Sequence, residues 1–163
     1  MATSWTAMAN KAAGDLVTEA DMDAIRGNIE YLLTPTTDSV ALTTGNITVT
    51  DTSWIDLAGV GVNLTTNGGH IHVEFCIQWS HDTLGGHAVF GIELDGTEEG
   101  GTSGVYDEEA EVQNRLHEAS VAYTILAPSV AAHAIKVRVK TNAGNLTVYA
   151  GAGRPAILKV YEV

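Results

Sequence analysis

Cysteine is nearly absent from this 163-residue chain. Cys76 stands alone, so no internal disulfide is possible and the fold does not depend on an oxidising compartment. Cations are scarce as well. Eight Lys and Arg face 20 Asp and Glu, a formal net charge of -12 with His neutral. Such a field repels phosphate backbones and anionic bilayers, so nucleic acid and membrane are both excluded as expected partners. Hydrophobic runs are short: none approaches the ~20 residues that span a bilayer. Residues 1–17 lack the basic and apolar regions of a signal peptide. Asn-x-Thr triplets at Asn46, Asn63 and Asn145 match glycosylation acceptors, but without a secretory signal they read as a Thr- and Asn-rich composition. Charged residues are 17% of the chain and hydrophobic residues 45%. The first figure is below the ~25% usual for soluble domains and the second is ordinary, which excludes a disordered chain or an extended charged helix. The length suits one domain with a short appendage, able to bury a core without metal or disulfide.

The pattern changes at Pro35, which divides the chain into residues 1–35 and 36–163. Thr18-Glu-Ala-Asp21 resembles a capping box, with Asp21 a shorter substitute for Glu or Gln and acidic groups in the first turn where the helix dipole favours them. Met22, Ile25, Ile29 and Leu32 then recur at spacings of three, four and three. That is a narrow stripe suited to helix–helix packing. The spacing predicts a helix from about Glu19 to Leu33, weakened by Gly27 and stopped before Thr34-Pro35. An isolated helix of this length is marginal in water, so the stripe needs a partner. The partner is either its own domain or, the preferred reading, other copies or a larger assembly. Trp5 sits in a small polar tail and reads equally as an anchor for another protein's pocket or as a flexible terminus.

Beyond Pro35 the period is two. Ile71, Val73, Phe75, Ile77 and Trp79 alternate with His70, His72, Glu74, Cys76 and Gln78, and Ala88, Phe90, Ile92 and Leu94 alternate up to the Asp95-Gly96 turn. His133, Ile135, Val137 and Val139 oppose Ala134, Lys136, Arg138 and Lys140, a half-buried strand with a cationic outer face. Further strands are expected at Val40–Thr43, Ile47–Thr50, Trp54–Leu57, Ala119–Leu126, Leu146–Ala150 and Ala156–Val163. Short strands punctuated by Asn67-Gly-Gly69, Gly85-Gly86, Gly100-Gly101 and Asn142-Ala-Gly144 argue for a mainly β fold, an antiparallel sandwich or barrel behind one short N-terminal helix.

Catalytic signatures are missing. No Gly-x-Ser-x-Gly, phosphate loop or dinucleotide fingerprint occurs, and Cys76 sits within a strand with no cue for activation. Neither enzyme activity nor a cofactor is expected. From Glu93 to Glu111 lie eight of the 20 acidic residues, with no Lys or Arg. Clustered carboxylates suit a hard cation, but the spacing is not that of a calcium loop, and a solvated loop that keeps the surface repulsive is the preferred reading. His70 and His72, with His81, His87 or His133, offer imidazoles for a metal. The plainer reading is polar residues on a strand face, and no metal is expected.

Two stretches carry a resemblance. Trp5 followed by Gly14-Asp-Leu-Val-Thr-Glu-Ala-Asp-Met-Asp-Ala-Ile-Arg-Gly-Asn-Ile-Glu-Tyr-Leu32 resembles the N-terminal attachment segment of tailed-bacteriophage virion proteins, with Asp23 where Asn is usual after the Met. Trp54-Ile-Asp-Leu57, Leu64-Thr-Thr-Asn-Gly-Gly-His-Ile-His-Val-Glu-Phe75, Phe90-Gly-Ile-Glu-Leu-Asp-Gly-Thr97 and Gly153-Arg-Pro-Ala-Ile-Leu-Lys-Val-Tyr-Glu-Val163 resemble the jelly-roll modules of phage fibres and head-decoration proteins, which are similar to tumour necrosis factor. The resemblance implies a jelly roll, a homotrimer, and attachment to a major capsid or tail protein of a virion through the N-terminal segment, after synthesis in a host cytoplasm.

The resulting expectation is a non-enzymatic virion structural protein, either a capsid decoration protein or a short head or tail fibre. Trp5, Met22, Ile25, Ile29 and Leu32 are the expected attachment or assembly residues. If the jelly rolls associate, Tyr123, Tyr149 and Tyr161 are candidates for the symmetry axis. The competing class is a carbohydrate- or receptor-binding module at a tail tip, reading a host surface glycan through loops at Asp82–Gly86, Glu98–Asp107 or Asn142–Gly144. A glycan hydrolase using the acidic loop is the third.

Overall fold

Alternating apolar residues become strands where a facing surface receives them, and a three-four spaced stripe becomes a helix where a cap starts it. The computed structural model describes residues 16–33, 36–126 and 128–163, the side chains of 30–33 excepted; Trp5 lies outside the described residues. The chain divides into two units, Met1–Pro35 and Thr36–Val163.

In the first unit the helix α1 spans Glu19–Leu33, as the stripe and the cap predict. The cap is reciprocal: Asp21 N–H donates to Thr18 Oγ1 at 3.3 Å, and Thr18 N–H donates to Asp21 Oδ2 at 2.7 Å. The shorter Asp closes the box as Glu usually does. Met22 and Ile29 are 51% and 50% exposed, and Ile25 is half-buried. Leu32 is helical, with its side chain outside the described residues. Among the described residues no helix is long and apolar enough to cross a membrane.

The second unit is built from β1 (Thr37–Leu42), β2 (Ile47–Val49), β3 (Ile55–Thr65), β4 (Ile71–His81), β5 (His87–Leu94), β6 (Thr97–Glu99), β7 (Tyr106–Glu109), β8 (His117–Ile125), β9 (Ala132–Thr141), β10 (Leu146–Tyr149) and β11 (Ala156–Glu162). All their pairings are antiparallel. In the first sheet, β11 and β10 follow one another along one flank of β4, and β8 takes the other flank. β1 and β2 pair outside β11 and β10. In the second sheet the order is β3, β9, β5, with β6 and β7 sharing the far flank of β5. The chain changes sheet from β3 to β4 to β5 and again from β8 to β9 to β10, which makes the sandwich a jelly roll.

Two features differ from the sequence expectation. The acidic segment, expected as a loop, contributes β6 and β7, because the exposed flank of β5 carries backbone N–H and C=O groups that need partners. Its alternation is hidden by acidic side chains on both faces. The strand expected at Trp54–Leu57 is the start of a longer β3. Its pairing with β9 shifts between Asp56 and Gly61, and the extra residues let Leu57 and Val60 both enter the core.

Between the sheets lie Val73, Phe75, Ile77 and Trp79 of β4 opposite Phe90 and Ile92 of β5 and Ile135, Val137 and Val139 of β9, all buried. Phe75 and Phe90 pack with ring centroids 6.0 Å apart at 54°, a tilted arrangement favoured by ring quadrupoles. Each such side chain contributes roughly 1.5–3 kcal/mol by leaving water.

Candidate functional site

The two outer faces of the sandwich have unlike chemistry. On the second sheet, Arg138 of β9 lies between carboxylates: Nη1 is 3.1 Å from Glu93 Oε2 and 3.2 Å from Glu98 Oε2, and Nε is 3.3 Å from Asp56 Oδ1. Its Nη2 donates to Trp54 O at 2.9 Å. Lys136 Nζ reaches Asp56 at 2.8 Å and Glu93 at 3.4 Å. Lys140 Nζ lies 4.4 Å from the Trp54 ring centroid and donates to Thr102 O at 2.7 Å. The cationic outer face read from β9 is thus matched by acids from β3, β5 and β6. Burial pushes the Glu98 carboxyl above the ordinary range despite the guanidinium beside it.

The first sheet's outer face is organised differently. Register places its side chains in four rows across β11/β10, β4 and β8: Tyr161, His72, Thr124; Lys159, Glu74, Ala122; Ile157, Cys76, Ser120; and Tyr149, Gln78, Glu118. The column on β11 and β10 is bulky. The column on β8 is small down to Glu118, and all four of its members are exposed. A depression of about 430 Å³ lies between, lined by Cys76, Ser120, Ala122 and Ile157 among others. Tyr161 Oη donates to Glu74 Oε1 at 3.1 Å, His72 Nδ1 is 3.0 Å from Thr124 Oγ1, and the His72 and Tyr161 rings are 5.0 Å apart. The Arg154 guanidinium stands 5.7 Å from the Tyr149 ring centroid. Burial and the neighbouring Glu118 carboxylate raise the Cys76 thiol above its usual range, so the thiol stays protonated and is a poor nucleophile. Of the three tyrosines singled out in the sequence, Tyr149 and Tyr161 are on this face, whereas Tyr123 packs against the core. Ser120, Ala122, Glu118 and Arg154 escaped the sequence reading. Their signal is the run of small residues at alternate positions 120–124, the mark of a strand face that something approaches closely.

At the end of the sandwich opposite Thr36, the loops Asp82–Gly86 and Asn142–Asn145 come together. The buried His81 ring fastens them: Nδ1 accepts from Thr83 N–H at 3.0 Å, which leaves Nε2–H to donate to Thr141 Oγ1 at 2.8 Å, and that hydroxyl donates to Ala143 O at 2.9 Å. The ring is neutral, its affinity for a second proton lowered chiefly by burial. Asp82 Oδ1 accepts from Asn145 N–H at 2.8 Å and from Thr83 Oγ1 at 2.9 Å. These bonds, the Asn145 backbone first, hold the carboxyl below the usual range. Beside them Asp107, Glu108, Glu109, Glu111, Arg115, Leu116 and His117 line a groove of about 590 Å³. Its carboxylates meet separate imidazoles: His87 Nδ1–H donates to Asp107 at 2.7 Å, and His117 Nδ1–H donates to Glu108 at 3.0 Å while its ring stacks on Trp79. Leu84 and Val112 are exposed nearby. The Glu98–Asp107 segment is not part of one continuous loop, since β6 and β7 anchor its two ends at different heights along β5.

The histidines grouped in the sequence are separated in space. His72 is on an outer face, His81 is buried, His87 meets Asp107, and His133 meets Asp95 and Ser129 at the opposite end. Among the described residues no three His, Cys, Asp or Glu side chains are placed to hold a metal ion.

No family model matches the chain, and no curated protein matches it. Among solved structures, the chain is similar to the Eiger tumour necrosis factor of S. frugiperda, with 8% identity, 79% of this chain and 91% of that one covered, and a TM-score of 0.48. It is similar to a chain of infectious bursal disease virus, Gx strain, with 14% identity and a TM-score of 0.47; the match covers 80% of this chain and 36% of that one. Murine APRIL follows with 12% identity, 80% and 100% coverage, and a TM-score of 0.45. Likenesses this distant assign no partner or chemistry.

Proposed function

We propose that this chain is a non-enzymatic structural protein of a tailed-phage virion: a homotrimer of jelly rolls attached to a capsid or tail protein by its N-terminal segment, as a decoration protein or a short fibre. The attachment residues are Trp5, Met22, Ile25, Ile29 and Leu32. The observation that carries the reading is the contrast between the outer faces. One is a sheet of mutually neutralised ions, well suited to water. The other holds half-buried tyrosines, Ile157 and a column of small side chains beside Lys159, Glu74 and Glu118, a mixed face that a second protein surface with complementary charges can cover. Three attachment segments on one trimer raise the effective concentration of each, so every single contact can be weak. Light scattering of the full chain should give three copies per particle. Deleting residues 1–34, or changing Met22 and Ile29 to Ser in the full chain, should abolish incorporation into virions. Retained incorporation of both variants refutes the attachment role.

A second reading is favoured by the end opposite Thr36, where the Asp82–Gly86 and Asn142–Asn145 loops are fastened beside the exposed Leu84 and Val112. Fixed polar loops with adjacent apolar groups suit a host surface glycan or receptor. Binding on a glycan array that is lost on changing Leu84 and Thr83 to Asp would favour it over decoration.

A further inference from the structure

We infer that the Asp82–Gly86 loop is an acid-released latch: a proton taken up by His81 frees it while both sheets stay folded. The latch lies at the end that the second reading above uses, and it needs no ligand, trimer or particle to work.

His81 is fully buried, and both of its ring nitrogens are engaged. Nδ1 spends its lone pair on Thr83 N–H at 3.0 Å, and Nε2–H goes to Thr141 Oγ1 at 2.8 Å. Gly86 lies so close that a Cβ there would overlap the ring. A further proton can add only at Nδ1, because Nε2 already carries one. It turns an acceptor into a donor that faces another donor, and Thr83 N–H loses its partner.

The nearest anion is Asp82, with Oδ1 3.8 Å from Nδ1. That oxygen already accepts from Asn145 N–H and Thr83 Oγ1, so turning it to a new ring N–H breaks the tie between the Asp82–Gly86 and Asn142–Asn145 loops. His87, at the start of β5, is the other titratable group that faces the ring, and it opposes a second positive charge. The remaining neighbours are neutral: the Thr141 hydroxyl, the Ala143 carbonyl, and Asn114 N–H, which donates to the His81 carbonyl at 2.7 Å. Burial is the main cause that holds the ring's proton affinity below the ordinary value. The closed loop is therefore fully favoured above the solvated value of about 6.5, and it loses ground as pH falls from there toward the folded value.

The loop opens at lower cost than the sandwich. Residues 82–86 carry one large apolar side chain, Leu84, and it is 68% exposed, so freeing them uncovers little core. Other ties of the loop are polar, among them Gly85 N–H to Ala110 O and Asp82 N–H to Asn145 O, both 3.1 Å. β4 and β5 are instead paired on both flanks and carry the buried Trp79 and Phe90. Segments with few buried apolar contacts open well before core strands do.

The test is amide hydrogen exchange of the full chain by NMR from pH 8 to pH 5, each rate divided by that of an unstructured amide at the same pH. Thr83 and Gly86 should lose protection as pH falls, by up to about ten-fold per pH unit, the slope of one proton. Ile77 in β4 should stay protected. Nitrogen spectra at pH 8 should place the His81 proton on Nε2. His81→Asn keeps an acceptor oxygen for Thr83 N–H, takes up no proton in this range and should abolish the response, whereas His87→Gln should retain it. Thr83 protection that ignores pH, or that vanishes together with that of Ile77, overturns the latch. So does a response that persists in His81→Asn or disappears in His87→Gln. If His81→Asn does not fold, the unmodified chain and His87→Gln still decide. Exchange is read without ligand, so its outcome is independent of that of the glycan array.

Discussion

His133 and Asp95 are joined by a 2.6 Å hydrogen bond from Nδ1–H to Oδ2, while the opposite ring nitrogen donates to Ser129 O at 2.8 Å. Asp95 Oδ1 in turn accepts from Ala134 N–H at 2.8 Å. With an acceptor facing each nitrogen, the ring is satisfied only when both carry protons. The Ser129 carbonyl first, then Asp95, raise its proton affinity above the ordinary value, and His133 chiefly lowers that of Asp95.

The pair sets opposite pH limits. Because the folded His133 pKa lies above its unfolded value of about 6.5, its contribution is complete below that pH and is lost as pH rises through the folded value. Asp95 contributes above its unfolded value of about 3.9, and its share is lost as pH falls through the depressed folded value. Melting temperatures across pH 5–9 should decline at the alkaline end, and His133→Gln should flatten that decline. An unchanged slope in the variant would refute the imidazolium.

His81 acts with the reverse sign. It is buried neutral, so its folded pKa lies below about 6.5, and the stability it contributes is lost as pH falls from there through the folded value. Gly86→Ala should destabilise by about 2 kcal/mol, because an added Cβ would overlap the imidazole ring. Urea denaturation with the variant and the unmodified chain side by side measures the cost. A loss below a few tenths would mean that the loop moves freely away from the ring.

Arg138→Ala should cost about 3 kcal/mol, since it leaves the largely buried Glu98 carboxylate without its guanidinium beside Glu93, which keeps only Lys136. Part of the loss should return as pH falls through the raised folded value of the Glu98 carboxyl, where it takes up a proton. Chemical denaturation at pH 5 and pH 7.5 reads both effects.

Cys76 offers a direct probe of the outer face. Glu118→Gln removes a negative acceptor from the thiol, so iodoacetamide alkylation at pH 8 should speed up by roughly three-fold or more. In the assembled protein the same thiol should be protected relative to dilute, dissociated chains. Equal rates in both states would mean that the face is never covered.

The helix and its cap were legible in residues 18–33, because a stripe at three-four spacing and a Thr-x-x-Asp start are local properties. The alternation from Ile71 to Trp79 was legible for the same reason: the core side of a strand follows from its own side chains. β6 and β7 were not, since Thr97–Glu99 and Tyr106–Glu109 become strands only because β5 offers them a flank. The β3 shift was also hidden, as it depends on what β9 presents across the ladder.

By itself the sequence determined the fold class, the identity of the core strands and the cation-poor composition, because periodicity and composition act within a few residues of one another. The tertiary structure alone decided which histidine meets which acid, that the cations of β9 are neutralised, and that Ile157 and Ser120, like Tyr149 and Glu118, share one face in matched rows. Among those relations His133 meets Asp95 across 38 positions and Arg138 meets Glu98 across 40, and only strand register brings such residues to the same height.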